Sequence, residues 1–181
     1  MAPNVADIDP LSLEHQVCFA LAVTNRAVLA VYRPLLEPLG LTHPQYLVML
    51  ALWDHAKSQA TAESGANALS VKDIAALLQM DSATLSPMLK RLQAQGLITR
   101  TRSTTDERAT HVELTRQGHD LRRQALKVPP AVVERLGVEL SELEHLREVL
   151  VKINGAALAA GALDPSPPAE NQFTDAVRTT R

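Results

Sequence analysis

The sequence has one cysteine, Cys18, and only five aromatic residues among 181. A single thiol excludes an internal disulfide framework and a multi-cysteine zinc site, and it suits a reducing cytoplasm. A core with so few rings must be built from Leu, Val and Ala, which favours helices over a sandwich or barrel. No apolar run approaches the ~20 residues that span a bilayer, and the first residues lack the basic and apolar segments of a signal peptide. We therefore expect a mainly α-helical, cytoplasmic protein.

Sequence signatures of several chemistries are also missing. The chain has no Gly-rich phosphate loop, no serine nucleophile elbow and no basic-aromatic interleaving typical of RNA binding. His111 and His119 are eight residues apart with no cysteine nearby, a pattern that does not indicate a metal pair. We expect no catalytic residues, no metal and no cofactor.

Charge is distributed unevenly along the chain. The formal net charge is -2, but residues 82–127 contain nine basic and four acidic side chains, so the remainder carries -7. A locally basic segment in an acidic protein predicts a polyanionic partner that meets one face of the molecule. The alternative is an ordinary solvated face, because exposed charges commonly have no partner.

The first third of the chain predicts two helices. Apolar residues recur with a helical period from Leu13, and prolines from Pro34 onward end or kink that first helix. Thr42, followed by a proline within the first turn, begins a second helix that extends to about Ala56. This second helix is almost wholly apolar, so we predict that Trp53 lies in the core and is not a platform for a ligand.

The rest of the chain outside the basic segment predicts loops and two further helices. Residues 57–68 are small and polar, which is typical of a loop. Thr115 is predicted to cap a helix that is broken at Pro129. Ser141 is predicted to cap a last long helix that extends to about Ala160. Flexible ends are expected over residues 1–12 and 163–181.

The middle of the chain predicts a winged helix-turn-helix. The segment from Ser70 to Asp73 has the spacing of a capping box and opens a short helix, and Asp81 or Ser82 caps a second helix that ends near Gln95. After Gly96 the period changes to two, over residues 97–102 and 109–114, with turn residues between them. Two short helices followed by a hairpin form this DNA-reading unit.

The second helix of this unit carries residues suited to a major groove, because its outward side chains are short hydroxyls followed by cations. Its N-terminal N–H groups can also bind a phosphate. We predict that the major groove is contacted by Ser82, Thr84, Ser86, Lys90 and Arg91. At the hairpin tip, a carboxylate from Asp106 would hold Arg108 extended for a minor groove. The alternative is an exposed helix beside an ordinary turn salt bridge.

Several segments resemble the multiple antibiotic resistance regulator (MarR) family. Asp106-Glu107-Arg108 followed by Leu114-Thr115 is similar to the family's wing, and Lys90-Arg91-Leu92 followed by Gln95-Gly96-Leu97-Ile98 to the end of its recognition helix. Four segments resemble its organic hydroperoxide resistance regulator branch: residues 16–21, 32–36, 42–47 and 85–92.

The resemblance implies an intertwined α-helical homodimer of winged-helix subunits that binds a palindromic operator in double-stranded DNA. The dimerisation helices would span residues 13–39 and 115–162, and the DNA-binding region would span residues 43–114. The sequence pattern agrees, because the first and last helices are amphipathic and belong to no part of the small DNA-reading unit. A twofold dimer would place two recognition helices about one DNA turn apart.

The resemblance also changes the expectation for Cys18. A free cysteine among apolar neighbours is by default an inert small hydrophobe. In the hydroperoxide-sensing branch the cysteine at this position is peroxidatic, and tyrosines from the partner subunit's second-helix region support its thiolate. Tyr32 matches one such position; the other is His43, where relatives usually carry tyrosine. Ala22 also lacks an aromatic that several relatives have, so the preferred oxidant is open.

With no second thiol in the chain, a sulfenic acid on Cys18 would condense with a small cellular thiol or be over-oxidised. Either product would shift the dimer and release the operator, so the resemblance implies a repressor that senses organic hydroperoxides. One alternative keeps the fold, but a small aromatic or phenolic ligand causes release and Cys18 is passive. A remote alternative is a thiol peroxidase.

Overall fold

The computed structural model describes residues 9, 11–61, 68–102 and 109–163. The chain divides into two compact units, Met1–Gly137 and Val138–Arg181. The described residues are mostly helical with one small antiparallel sheet, which confirms the predicted fold class. The core of the first unit consists of Leu36, Leu41, Tyr46, Val48, Met49, Leu52, Trp53, Ile74, Leu85, Leu89, Leu92, Leu97, Ile98, Val112, Ala125, Val128 and Val132.

The first helix, α1, spans Val17–Leu36 and follows a 3-10 turn at Leu13–His15. Pro34 lies within its last turn and does not end it; the chain continues through a second 3-10 turn that closes at Gly40 with φ 67°. One side of α1 packs on neighbouring helices, while much of the rest is exposed. By length and composition alone Val17–Leu39 could cross a membrane, but the core helix of a soluble protein meets the same criterion, so the prediction from apolar runs is not overturned.

Helix α2 spans His43–Thr61 and begins where the sequence predicted. The side chain of Gln45, which is buried, reaches back so that its Oε1 accepts from the backbone N–H of Thr42 at 2.9 Å. The predicted end near Ala56 is wrong, because residues 57–61 continue the helix. Residues 57–61 contain no Gly or Pro, so they can extend a helix that the core face of α2 already stabilises through tertiary packing.

Helices α3, Val71–Leu78, and α4, Ser82–Ala94, form the helix-turn-helix. The capping box that opens α3 is present: the Ser70 hydroxyl accepts from the Asp73 N–H, and the Asp73 carboxylate accepts from the Ser70 N–H. Gln79 ends α3 in the left-handed region at φ 51°. The turn to α4 is therefore defined by caps on both sides.

The sheet has three antiparallel strands, β1 (Leu69–Ser70), β2 (Ile98–Arg102) and β3 (Thr110–Leu114), in the order β1-β3-β2. Strands β2 and β3 form the predicted hairpin, with Arg100 opposite Val112. The two-residue strand β1 was not predicted. It pairs with β3 at Leu69 and Val112, and so joins the start of α3 to the base of the hairpin.

The hairpin is fastened to the core where β3 enters helix α5, Arg116–Ala125. Thr115 is the predicted cap: its hydroxyl accepts from the Gly118 N–H and donates to the Gly96 carbonyl at 2.6 Å. The buried indole N–H of Trp53 donates to the Gly118 carbonyl at 2.9 Å. Trp53 is 4% exposed, which confirms that it is a core residue. These bonds connect α2, α5 and the base of the hairpin at one point.

Prolines in the next segment begin a helix. Pro129 and its neighbour lie in the first turn of α6, Val128–Leu136, where a missing N–H costs little. The sequence pattern predicted only that these prolines break the preceding helix, and not that they lie in the first turn of the next one.

In the second unit, α7 spans Leu140–Ala159. The N-cap of α7 is Glu139 and not Ser141, so the predicted cap is wrong by two residues. None of its residues is buried, and seven large apolar side chains are at least a third exposed: Leu140, Leu146, Val149, Leu150, Val151, Ile153 and Leu158.

Candidate nucleic-acid interface and thiol site

Helix α4 presents one side to the core and the other to solvent. Leu85, Leu89 and Leu92 are all fully buried, and they recur at the spacing of one helical face. Among the predicted contact residues, Ser82, Lys90 and Arg91 are exposed and Ser86 is partly buried. The helix therefore offers an open, partly cationic surface of the kind that fits a major groove.

The N-terminus of α4 is occupied by its own cap. The Asp81 carboxylate accepts from the Thr84 N–H at 2.6 Å and from the Thr84 hydroxyl at 2.9 Å. These two hydrogen bonds lower the pKa of Asp81 below its ordinary value. A fixed carboxylate here competes with the phosphate that the sequence predicted at this helix end, because both would use the same N–H groups.

Two hydroxyl groups of α4 already donate hydrogen bonds to neighbouring groups of the protein. Ser86 donates to the Ser82 carbonyl at 2.7 Å, one turn back, and Thr84 donates to Asp81. Their oxygens keep acceptor capacity, but their donors are used within the helix. This distinction depends on local side-chain geometry, and the sequence interpretation had treated the three hydroxyls as equivalent.

Asp106 and Arg108, the predicted minor-groove pair, lie outside the described residues. At the described end of β2, Arg102 is exposed. Arg100, on the same strand, has a buried Nε for which the described part of the chain supplies no hydrogen-bond partner. From the sequence alone, Arg100 counts only among the basic side chains of its segment.

Cys18 is exposed near the start of α1. Its two predicted supports are together: the rings of Tyr32 and His43 pack edge to face with centroids 5.0 Å apart. Tyr32 is on α1 itself, fourteen residues beyond Cys18, which at 1.5 Å per residue corresponds to about 21 Å along the helix. Within one chain, therefore, Tyr32 cannot touch the thiol.

The Tyr32–His43 pair is the outer end of a row of rings. Tyr32 lies 6.2 Å from Tyr46, and Tyr46 lies 6.4 Å from Trp53, measured between ring centroids. Burial raises the pKa of both tyrosines, with the neighbouring Tyr32 as a second cause for Tyr46. Burial lowers the pKa of His43, so its imidazole is neutral near pH 7 and offers one N–H donor.

His111 and His119, the two histidines considered as a metal pair, lie in different environments. His111 on β3 is hydrogen-bonded through Nδ1 to the Ala68 carbonyl at 3.1 Å, and His119 is exposed on α5. No group of three or more His, Cys, Asp or Glu side chains suited to a metal ion occurs in the described ranges.

Comparisons with known proteins agree with this architecture. The family model for the transcriptional regulator SarA/Rot matches residues 30–124. The organic hydroperoxide resistance transcriptional regulator of Bacillus subtilis is 40% identical over 141 residues, which are 78% of this chain and 86% of that protein. Both are regulators of transcription and neither is an enzyme.

Two solved structures of AbfR, a Staphylococcus epidermidis protein, have the same fold. Reduced AbfR bound to DNA is 29% identical with a TM-score of 0.60, over 81% of this chain and 94% of that chain. Overoxidised AbfR bound to DNA is 29% identical with a TM-score of 0.59, over 80% and 93%. The chain belongs to the MarR family of DNA-binding winged-helix transcription regulators, in the branch of the organic hydroperoxide resistance regulators.

Proposed function

We propose that this protein is a cytoplasmic, homodimeric repressor that senses organic hydroperoxides by oxidation of Cys18 and then releases a palindromic operator. The observation that carries the proposal is the separation of Cys18 from the Tyr32–His43 pair along α1. A thiolate supported by these two side chains requires a second copy of the chain. The sensor site is therefore formed between the two subunits of a dimer.

The DNA-binding surface consists of α4 and the hairpin. In this proposal Ser82, Thr84, Ser86, Lys90 and Arg91 face the major groove, and Arg108, held by Asp106, enters the minor groove. The exposed cations of α4 support the first part. Because Asp81 occupies the N-terminus of α4, phosphates are contacted by Lys and Arg side chains and not by that helix end.

Apolar surface supports the homodimer. On α1, Val17 is 63% and Leu21 is 41% exposed, and on α7 Val151 and Ile153 are similarly open. Large apolar side chains spaced along each of these long helices mark an interaction surface on that helix, and twofold symmetry lets two chains cover the same surface on each other. This use of α1 also accounts for its membrane-like composition without a membrane.

In the proposed sensor, Cys18 of one subunit lies beside Tyr32 and His43 of the other. The Tyr32 hydroxyl and the neutral His43 N–H donate to the thiolate and so stabilise its charge. Burial of both rings makes these donors more effective, because a hydrogen bond to a charge is stronger in a region of low dielectric.

The chemistry has two steps. The Cys18 thiolate attacks the terminal oxygen of the hydroperoxide: an S–O bond forms, the O–O bond breaks, and the alkoxide takes a proton and leaves as an alcohol. A small cellular thiol then attacks the sulfenic sulfur, a disulfide forms and water leaves. Cys18 is oxidised and the peroxide is reduced, with no second protein thiol consumed.

The mixed disulfide adds polar bulk to α1 and changes the spacing of the two recognition helices. A coupling of only ~3 kcal/mol would weaken operator binding more than a hundredfold. The overoxidised relative AbfR has been seen bound to DNA, which favours the thiol adduct, and not the over-oxidised sulfur, as the releasing form here.

The test is operator release by purified protein, titrated with an organic hydroperoxide in the presence and absence of a small thiol. Wild type is compared with Cys18→Ser, and intact-protein mass spectrometry identifies the state of Cys18. We expect wild type to release DNA when the mixed disulfide forms, while Cys18→Ser stays bound. Equal release by both proteins, or by neither, would refute the redox mechanism.

A second candidate is release by a small aromatic or phenolic ligand with Cys18 passive. It is favoured by a cavity of about 190 Å³ between α2, α5 and α6, lined by the rings of Tyr46 and Trp53 and by two cations, Lys57 and Arg122, beside one carboxylate, Asp54. An aromatic carboxylate fits such a lining. This candidate predicts release without oxidant, unchanged in Cys18→Ser.

A further inference from the structure

The centre of the outward face of α4 is apolar. At 100° per residue, the direction opposite the buried Leu85, Leu89 and Leu92 falls between Ala83 and Pro87, which lie one turn apart and are both exposed. Ser82 and Ser86 lie on one flank of this line and Thr84 on the other. The part of α4 that projects furthest toward a DNA groove therefore consists of the small apolar side chains of Ala83 and Pro87.

Two of the three flanking hydroxyls can accept from a base but cannot donate to one. The Thr84 and Ser86 protons are already donated, to Asp81 and to the Ser82 carbonyl. No Asn, Gln or Arg, the side chains that make bidentate contacts with purines, lies in the first two turns of α4. Polar readout by the first half of this helix is thus limited to the Ser82 hydroxyl and to oxygens that accept, and apolar contact is a further source of direct readout.

Pro87 also weakens the helix that carries it. It lies in the sixth position of α4, where its missing N–H removes one helical hydrogen bond to Ala83. The side chain is exposed, so no core contact compensates for the loss. Residues that lower helix stability without packing in the core are expected at functional sites, where contact with a partner offsets the cost.

We propose that Ala83 and Pro87 form a methyl-reading patch that recognises the C5-methyl groups of thymines in each operator half-site. In the major groove thymine is the base that presents a methyl group, and small apolar side chains are its complement. This inference rests on the proposed function, because it requires α4 to be the recognition helix.

The experiment begins with selection of a binding site from a random duplex pool by the full-length protein. Each thymine of the selected half-site is then replaced by uracil symmetrically in both halves, which removes only the methyl group. For wild type we expect one or two positions at which the dissociation constant rises by about ten- to twentyfold, the product of about fourfold for one buried methyl in each half-site.

The variants Ala83→Gly and Pro87→Ser then test which side chain contacts the methyl group of each thymine. We expect each variant to lose discrimination between thymine and uracil at its own position, and Ala94→Gly, an outward position three turns along α4, to keep it at both. The inference is overturned if uracil is tolerated everywhere by wild type, or if both variants still discriminate as wild type does. Failure to bind any duplex would instead refute the DNA-binding surface itself.

Discussion

Gly118→Ala tests the contacts of Gly118 that join the hairpin to helices α2 and α5. A Cβ built on Gly118 lies 2.1 Å from the carbonyl oxygen of Leu97 and 3.2 Å from the Cδ2 atom of Leu114. The first contact is with backbone that cannot rotate away, and that same oxygen accepts from the Thr115 N–H at 3.0 Å. The Gly118 carbonyl in turn holds the Trp53 indole, so a shift of α5 strains several bonds.

We expect Gly118→Ala to destabilise the fold by about 3 kcal/mol, from about 2 for overpacking and about 1 for the weakened Trp53 hydrogen bond. At about 2–4 °C per kcal/mol for a chain of this size, Tm falls by about 6–12 °C. The assay is thermal unfolding followed by circular dichroism, with fluorescence of Trp53, the sole tryptophan, as a second probe.

Gly155→Ala is the matched control, because no atom lies within 4 Å of the Cβ it would add. Within the chain, the same substitution there removes only the flexibility of a helical glycine. It should stabilise the fold by about 0.5–1 kcal/mol, which raises Tm by about 1–4 °C. Equal Tm changes in the two variants would refute the claim that close approach at Gly118 holds the hairpin.

Three further predictions concern the caps, the sensor and the DNA surface. Ser70→Ala removes half of the α3 capping box and should cost about 1 kcal/mol near neutral pH by chemical denaturation. Because Ser70 lowers the pKa of Asp73, the part of this difference that the Asp73 carboxylate contributes is present above the ordinary aspartate pKa and is lost as pH falls through the lowered one. The hydrogen bond from the Asp73 N–H to the Ser70 hydroxyl does not depend on pH, so the difference should shrink without vanishing, and a constant difference would contradict the prediction. Burial lowers the pKa of His43, so wild type should lose stability relative to His43→Phe as pH falls from 7 to 5, measured as Tm; parallel curves would count against this. Lys90→Ala should reduce the slope of log affinity against log salt by about 1, whereas Lys152→Ala on α7 should leave it unchanged.

Much of the fold could be predicted because its signals are local. The Ser70–Asp73 and Thr115 caps each satisfy backbone N–H groups within three residues, so the sequence spacing alone identifies them. The change of period after Gly96 likewise predicted the hairpin, and strands β2 and β3 lie within one residue of the expected bounds.

Other elements depend on contacts that no local pattern encodes. Strand β1 has two residues and exists because β3 supplies its partner forty residues later. Helix α6 begins at prolines that end one helix and equally suit the first turn of another. At α7, Ser141 has the right residue type, but the helix begins earlier at Glu139 without a side-chain cap.

The candidate site likewise has features that the sequence predicts and features that only the structure shows. Periodicity placed the buried leucines of α4 and therefore its outward face. It could not show that Asp81 and the Ser82 carbonyl take the protons of Thr84 and Ser86, since these bonds depend on side-chain rotamers. Cys18 could be identified by resemblance, but its distance from Tyr32 follows from the continuous helix between them.

The most direct test of the central claim is a mixed dimer in which each subunit lacks one half of the sensor. One subunit carries Cys18→Ser, and the other carries Tyr32→Phe with His43→Phe and keeps its thiol. If the sensor forms between subunits, the heterodimer has one complete site, and its rate of sulfenic acid formation with an organic hydroperoxide should be about half that of wild type. The Tyr32→Phe, His43→Phe homodimer should react slowly, and the Cys18→Ser homodimer, which has no thiol, should not react. A heterodimer as slow as the Tyr32→Phe, His43→Phe homodimer would contradict the account.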